Sequence, residues 1–341
     1  MSTRIFGSGI RRREDPRLLT GSATYTDDLT LPRMVHAAML RSPHAHARIT
    51  SIDTSKAANA AGVLAVYTHA DTDGKLQPAP CAWLLPDSDL KIASYHCIAK
   101  DVVRYVGDIV AVVVAESRYA AEDALELIEV DYEPLPAVID PEQAAGDGAS
   151  RLHEEIAGNQ AFHWTVAGGD IDAAFENAEV VVSDRIIQQR LIPNAMEPRA
   201  ALASYTTATG EITVWNTTQN PHILRFLSSL VIGVGEDKIR VIAPEVGGGF
   251  GSKIAAYPAD FVTMFCSMQL GRPVKWNETR SENYQATTHG RDHVQQVEVA
   301  AKKDGTVLGL RCTVHAGMGA FLSTAAPGIP TILHGLMLSG V

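Results

Sequence analysis

Asp108-Ile109-Val110-Ala111-Val112-Val113-Val114-Ala115 decides the fold class, because every residue after the first is apolar. A run of this length and composition predicts a strand that is buried on both faces of a sheet. Downstream, apolar residues recur first at helical spacing and then in alternation, at Ala121, Ala124, Leu125 and Ile128 and then at Val130 and Tyr132. The order strand, helix, strand predicts a mixed α/β fold.

A turn-rich segment at residues 140–150 separates this first unit from the rest of the chain. Small and polar residues of this kind are typical of a linker between domains. We therefore divide the chain into an extended N-terminal arm, an α/β unit, a linker and a second unit, at residues 1–19, 20–138, 139–164 and 165–341.

The second unit is predicted to contain both strands and helices. Asp170 is a candidate N-cap for a short helix that buries Ile171, Ala174, Phe175 and Ala178. Asn220 and Pro221 mark the start of a longer helix, and another helix ends near Gly271. Predicted strands cover residues 180–189, 200–205, 212–216 and 238–243, and a predicted hairpin covers 294–301 and 306–315.

The composition describes an acidic, globular protein of 341 residues with a net charge of −10. A phosphate-backbone binder normally carries a basic surface, so nucleic acid is not expected as a partner. No apolar stretch reaches the ~20 residues of a membrane span and no signal peptide is recognised, so we expect a cytoplasmic protein without a membrane partner. The four cysteines contain no CxxC pair, which predicts reduced, buried thiols.

The strongest local signal is the glycine-rich stretch at residues 244–253, PEVGGGFGSK, between a predicted strand and a predicted helix. Glycines allow backbone N–H groups to approach a ligand closely, and the N-terminus of the following helix favours an anion such as pyrophosphate. Phe250 is expected to form one wall of a pocket while its own N–H points into that pocket. The spacing fits neither a P-loop nor a dinucleotide fingerprint, and a tight turn is an equally good explanation.

Three further groups of residues are candidates. Gln219 follows a predicted strand, where its amide either donates to an oxo group or faces solvent. Glu197 beside Arg199 indicates an ion pair, a solvated surface or a catalytic acid. His44 and His46 share one face of a strand, but without a third ligand a zinc site is not expected. The isolated histidines are interpreted as structural: His153, His222, His289, His293 and His315.

Motifs along nearly the whole chain are similar to those of one enzyme family. The loop from Gly247 to Lys253, together with motifs at residues 196–199 and 218–222, resembles the first molybdopterin-binding domain of the xanthine dehydrogenase/aldehyde oxidase family. The motifs at residues 13–15, 20–29, 41–47, 106–108 and 130–136 resemble that family's α/β hammerhead domain. The resemblance is strongest to the carbon monoxide dehydrogenase large-subunit type.

The resemblance implies an N-terminal hammerhead domain followed by part of the first molybdopterin-binding domain. It implies the large subunit of a molybdenum hydroxylase, which oxidises an aldehyde, an N-heterocycle or a CO-like substrate with water-derived oxygen. The cofactor would be molybdenum–molybdopterin, in its cytosine dinucleotide form. Electrons would pass to an iron–sulfur small subunit and an FAD medium subunit, in a dimer of heterotrimers.

The same resemblance assigns roles to the loop and to the residue before the helix. Gln219 would hydrogen-bond an oxo ligand of the molybdenum, Gly248 and Gly249 would shape the loop, and Phe250 and Gly251 would present N–H groups near the metal. No side chain would ligate the metal, because the pterin dithiolene holds it. Ile254 stands where xanthine-oxidising members carry a Glu, which argues against a purine bound in the same way.

Other parts of a complete active site are expected outside this sequence. The family's general-base Glu and the copper-linked Cys loop are expected beyond Val341, so no catalytic residue is assigned. Leu336-Met337-Leu338 is interpreted as an element cut in mid-structure, and activity of the chain alone is not expected. The alternatives are a non-catalytic pterin- or phosphate-binding or assembly module that retains the glycine loop, and an unrelated nucleotide-binding protein.

Overall fold

A computed structural model describes residues 6–85 and 88–333 as a mixed α/β fold, as predicted. The expected truncated element at Leu336-Met337-Leu338 lies outside these residues. The strands are β1 (Val35–Arg41), β2 (Ala47–Asp53), β3 (Val63–Tyr67), β4 (Val102–Val103), β5 (Ile109–Ala115), β6 (Glu129–Pro134), β7 (Val180–Gln188), β8 (Ala200–Thr206), β9 (Glu211–Asn216), β10 (Ile239–Ile242), β11 (Val274–Asn277), β12 (His293–Ala301) and β13 (Val307–Ala316). The α-helices are α1 (Asp15–Leu19), α2 (Ser55–Ala58), α3 (His69–Thr72), α4 (Arg118–Leu125), α5 (Pro141–Ala144), α6 (Ile171–Glu176), α7 (Pro221–Ile232), α8 (Pro258–Leu270) and α9 (Arg280–Ala286).

A seven-stranded sheet forms the centre of the molecule, in the order β10-β9-β8-β11-β1-β5-β3. The predicted strand β5 is confirmed, and all seven of its residues are buried. Val112 and Val114 pack toward α8, whereas Val113 packs on the opposite side against α4. Burial by helices on both sides explains why this strand has no polar face.

This sheet takes strands from both sides of the predicted linker. Strands β1, β3 and β5 precede residues 139–164, and the other four strands follow them. The two groups meet where β1 pairs in parallel with β11, with Val35 opposite Val274. The division of the chain at the linker stays a prediction, but the central sheet belongs to both parts.

Strand β6 does not join β5, although the sequence placed both in one strand–helix–strand unit. Both edges of β5 are already paired, with β1 and with β3. After α4 the chain therefore crosses to a separate three-stranded sheet in the order β4-β2-β6. The predicted hairpin of β12 and β13 forms, and with β7 it makes the third sheet.

The N-terminal arm was predicted to be extended, and this is wrong for residues 15–19, which form α1. Pro16 in the first turn and the acidic Asp15 both favour a helix start. The Arg17 side chain forms an ion pair with Glu245, and the Glu245 N–H donates to the Thr24 carbonyl at 3.1 Å. The arm is thus attached to the chain just before the glycines of the loop.

Helix α6 begins as predicted, because the Asp170 carboxylate accepts a hydrogen bond from the Ala173 N–H at 3.0 Å. Its apolar residues are only half-buried, however, since the helix lies on the small sheet at Gly309 rather than in the main core. The cysteines are free thiols as expected, with Cys312 half-buried and the others buried. Within the described ranges no helix is both long and apolar enough to cross a bilayer.

Candidate functional site

The glycine loop, residues 244–253, lies beside Gln219 at one edge of the central sheet. Gln219 follows β9 and the loop follows β10, and these two strands are parallel neighbours, with Ile239 opposite Ile212. The carboxyl ends of parallel strands reach the same edge of a sheet, where α/β folds commonly bind ligands. The two strongest sequence candidates are therefore parts of one site.

The Gln219 side chain is held by the backbone of the loop. Its Oε1 accepts hydrogen bonds from the N–H groups of Gly251, at 3.0 Å, and Lys253, at 3.3 Å. The Gln219 N–H also donates to the Lys253 carbonyl at 2.8 Å. Two N–H donors fix which side of the amide carries the oxygen. The amide nitrogen therefore faces away from the loop, and none of the described residues accepts a hydrogen bond from it.

Close approach explains two of the glycines. A Cβ on Gly249 would overlap the Gln219 side chain, and a Cβ on Gly247 would lie 2.5 Å from the Glu197 Cβ. In the part of the chain that the structure describes, the N–H groups of Gly248, Gly249 and Phe250 find no acceptor. These three consecutive N–H groups are therefore open to a ligand or to solvent.

One expectation for the end of the loop is not met. The Gly251 N–H is engaged by Gln219 Oε1, so it does not point toward a ligand as the motif suggested. Phe250 is 72% exposed and its ring lies over Gly248, and its role as the wall of a pocket stays a prediction. Its φ of 51° is uncommon for a bulky residue, and strained backbone of this kind is concentrated at ligand sites.

Glu197 contacts Lys253 rather than Arg199. Lys253 Nζ donates to the Glu197 carbonyl at 2.8 Å and to its Oε2 at 3.1 Å. The same Oε2 accepts the Gly247 N–H at 2.7 Å, and the Glu197 N–H donates to the Gly247 carbonyl at 3.1 Å. Burial lowers the pKa of Lys253, whereas the charge of Glu197 opposes this effect. The ion pair of Glu197 with Arg199 that the sequence suggested does not form, because Glu197 pairs with Lys253 instead.

Arg199, just before β8, forms a separate buried ion pair with Glu278. Its Nε lies 3.1 Å from Glu278 Oε1, and its guanidinium stacks on Tyr257 at 3.7 Å from the ring centre. Burial raises the pKa of Glu278, but Arg199 reverses the effect, so the net shift is downward. The pair supports the residues that lead into β8. It meets the glycine loop through Tyr257, whose hydroxyl donates to the Ser252 carbonyl.

The predicted anion site at the helix N-terminus is wrong. Helix α8 begins at Pro258, after a further turn of chain. The N–H of its N-cap residue, Tyr257, donates to Asp260 Oδ2 of the same helix at 2.9 Å, and Pro258 carries no N–H. Asp260 Oδ1 accepts from the Asn216 amide at 2.7 Å. Asp260 is buried, and burial raises its pKa. The helix start is thus closed to an external ligand.

Four of the histidines contact backbone carbonyls or pack on an aromatic ring. His46 Nδ1 lies 2.9 Å from the Pro136 carbonyl, and the His44 ring packs on Tyr132 with ring centres 4.9 Å apart. His153 and His289 also contact backbone carbonyls. Across residues 6–85 and 88–333, no three metal-ligating side chains converge on one point.

A large cavity, about 1380 Å³, lies elsewhere in the molecule. It runs between the predicted linker and β13, and none of the glycine-loop residues lines it. No convergent set of unpartnered polar groups marks it among the described residues. Between these two regions, the organised hydrogen-bond donors therefore lie at the loop and not in this cavity.

Comparisons with known proteins match the chain to two domain families. Residues 152–340 match the family model of the molybdopterin cofactor-binding domain. Residues 20–136 match the aldehyde oxidase and xanthine dehydrogenase a/b hammerhead domain. The structure superimposes on quinoline 2-oxidoreductase from Pseudomonas putida 86 with a TM-score of 0.85 at 38% identity, over 90% of this chain and 39% of that chain.

Curated relatives are similar over almost the whole chain. The carbon monoxide dehydrogenase large chain of Afipia carboxidovorans is 41% identical over 95% of this chain, which spans 41% of that protein. The nicotinate dehydrogenase large molybdopterin subunit of Eubacterium barkeri is 30% identical over 94% of this chain and 72% of its own length. Since the cofactor-binding model covers more than half of the sequence, the chain belongs to the xanthine dehydrogenase/aldehyde oxidase family of molybdopterin-binding proteins.

Proposed function

We propose that this chain supplies the glycine-loop side of the cofactor pocket in a molybdenum hydroxylase large subunit. The observation that carries the proposal is the outward amide nitrogen of Gln219, fixed by two loop N–H groups. Hydrogen-bond donors held in place by the protein stabilise negatively charged oxygen without reorganising. An amide donor at this position suits an oxo ligand.

The residues of the site fit a molybdenum–molybdopterin cofactor. The loop offers hydrogen-bond donors from Gln219 and from the N–H groups of Gly248, Gly249 and Phe250. We propose that the pterin dithiolene, and not a side chain of this chain, holds the metal. When bound, the cofactor supplies the redox chemistry, and these residues bind and orient it. We propose its cytosine dinucleotide form.

The substrate is proposed from the relatives and from one apolar residue. The similar proteins include a carbon monoxide dehydrogenase, a quinoline 2-oxidoreductase and a nicotine 6-hydroxylase. Ile254, 42% exposed beside Lys253, offers no carboxylate to a purine. We propose oxidation of carbon monoxide, an N-heterocycle or an aldehyde in the cytoplasm, with electrons passing to iron–sulfur and FAD subunits in a dimer of heterotrimers.

A chimera tests this proposal. This chain replaces the matched segment of the Afipia carboxidovorans large chain, and the purified complex is assayed for molybdenum and pterin. We expect Gly249→Val to lose most of the cofactor, because a side chain there overlaps Gln219. Gly168→Val is the matched control, since a Cβ at Gly168 meets only open space.

Two outcomes would contradict the proposal. A folded Gly249→Val chimera with full molybdenum content would show that the loop is only a turn. A folded and assembled chimera without molybdenum would instead favour the non-catalytic binding or assembly module.

A further inference from the structure

Lys253 connects three segments of the site. Its backbone N–H and carbonyl hold the side-chain oxygen and the N–H of Gln219. Its ammonium group holds Glu197 through the carbonyl and through Oε2. Glu197 in turn holds Gly247 by hydrogen bonds in both directions. One residue thus links the start of the glycine loop, its end and the Gln219 amide.

The side chain of Lys253 is unusually placed for a lysine. Only 2% of the residue is exposed, and Glu197 is its ion-pair partner. Glu197 Oε1 is itself buried without a hydrogen-bond partner among the described residues. Buried ion pairs gain little stability, because desolvation offsets the attraction of the charges. The Lys253–Glu197 pair is therefore better explained by the positions it imposes on the loop than by a gain in stability.

The geometry links this pair to the direction of the Gln219 amide. Fixing Gly247 at one end of the loop and Lys253 at the other leaves the chain between them little freedom. The Gly251 and Lys253 N–H groups then stay on Gln219 Oε1, and the amide nitrogen stays turned outward. Without the Glu197 contact, the start of the loop is free to move and the two N–H groups lose their common orientation.

We propose that Lys253 and Glu197 are positioning residues, which hold the glycine loop so that the Gln219 amide and the unpaired N–H groups face the cofactor. The identity of the ligand rests on the proposed function. The positioning itself is a property of the free protein, and it can be measured without any cofactor.

The experiment compares the complete chain with its Lys253→Met, Glu197→Gln and doubly substituted forms. The first readout is hydrogen exchange of a peptide covering residues 247–254, followed by mass spectrometry. The second is the side-chain amide resonance of Gln219 in protein labelled with 15N-glutamine, which a purely structural role elsewhere would not move. Lys275→Met is the matched control, because Lys275 is also buried and holds Asp27 through its carbonyl at 2.7 Å.

We expect Lys253→Met to accelerate exchange of the loop about tenfold and to shift the Gln219 amide resonance. Glu197→Gln changes both in the same direction but less, because an amide oxygen still accepts a hydrogen bond. The double variant matches Lys253→Met, since the two residues act as one unit. Lys275→Met lowers the melting temperature and leaves both readouts unchanged.

The proposal is overturned if exchange of the loop in Lys253→Met equals that in Lys275→Met, or if the Gln219 resonance stays in place. If Lys253→Met does not fold, Glu197→Gln decides by the same two readouts. Because neither readout uses the cofactor, a chimera without molybdenum rejects the proposed function alone. An unchanged loop rejects the positioning alone.

Discussion

At the scale of single residues, Gln219 uses the two ends of its amide for different purposes. The oxygen binds the loop and the nitrogen is left for a ligand. Glutamate at this position would keep the acceptor for Gly251 and Lys253 but would lose the donor. Alanine would lose both, so the two substitutions separate anchoring of the loop from donation.

In the chimera, we expect Gln219→Glu and Gln219→Ala each to lower turnover by about 10²–10³-fold, the usual effect of removing one fixed donor. Hydrogen exchange of residues 247–254 distinguishes them, because only Gln219→Ala frees the loop N–H groups. Turnover is measured with an artificial electron acceptor and normalised to molybdenum content. Unchanged turnover in Gln219→Glu would reject the role of the amide as a donor.

The glycines and Gln219 could be identified from the sequence, because a glycine cluster and an amide at the end of a strand are recognisable without knowing the contacts. The sequence did not identify the partner of Glu197, because the contact with Lys253 joins residues 56 positions apart. The closeness of Glu197 and Arg199 in the sequence suggested that they pair with each other, yet Glu197 pairs with Lys253 and Arg199 with Glu278. The engagement of the Gly251 N–H likewise depends on a strand pairing that no local pattern contains.

At the scale of elements, periodicity predicted strands and helices more reliably than it predicted their neighbours. Strand β5, helix α4 and the β12–β13 hairpin lie where the pattern placed them. The partner of β6 was missed, because strand pairing depends on which edges are already occupied. The anion site predicted at the start of α8 was wrong, because a carboxylate of the helix itself, that of Asp260, accepts the Tyr257 N–H there.

The capping carboxylates allow a test at this scale, in which a buried cap is compared with an exposed one. Asp260→Ala leaves the Tyr257 N–H and the Asn216 amide without an acceptor inside the protein, so we expect a loss of about 2–4 kcal/mol in the free energy of unfolding. Asp170→Ala removes an exposed cap from α6, with an expected loss of about 1 kcal/mol. Urea denaturation measures both, and equal losses would show that burial of the cap has no effect.

At the scale of the whole molecule, the central sheet unites the parts that the sequence suggested were separate. The turn-rich composition of the linker led to the prediction of two separate units, and residues 145–148 in it are exposed. Composition carries no information on the pairing of β1 with β11, whose residues are far apart in the sequence. Local patterns therefore indicate where a chain can bend but not which strands it later brings together.

Cleavage in the linker tests this unity. A protease site inserted after Gly148 is cut in the native protein, and the products are compared with the uncut chain. Because β1 and β11 remain paired, we expect the two pieces to elute together in size-exclusion chromatography and to unfold in one transition. Urea serves as the control, since it should release the pieces from each other. Separate elution without urea, or two unfolding transitions, would contradict a shared sheet.

The junction of β1 with β11 also limits which halves of related chains can be combined in one protein. The matches to the two domain families, at residues 20–136 and 152–340, lie on opposite sides of it. If one half were exchanged for that of a distant relative, Val35 and Val274 would meet unfamiliar neighbours, and a poor match would expose two unpaired strand edges. A chain assembled from the halves of two distant relatives would therefore keep the central sheet only where the strands on either side of this junction are compatible.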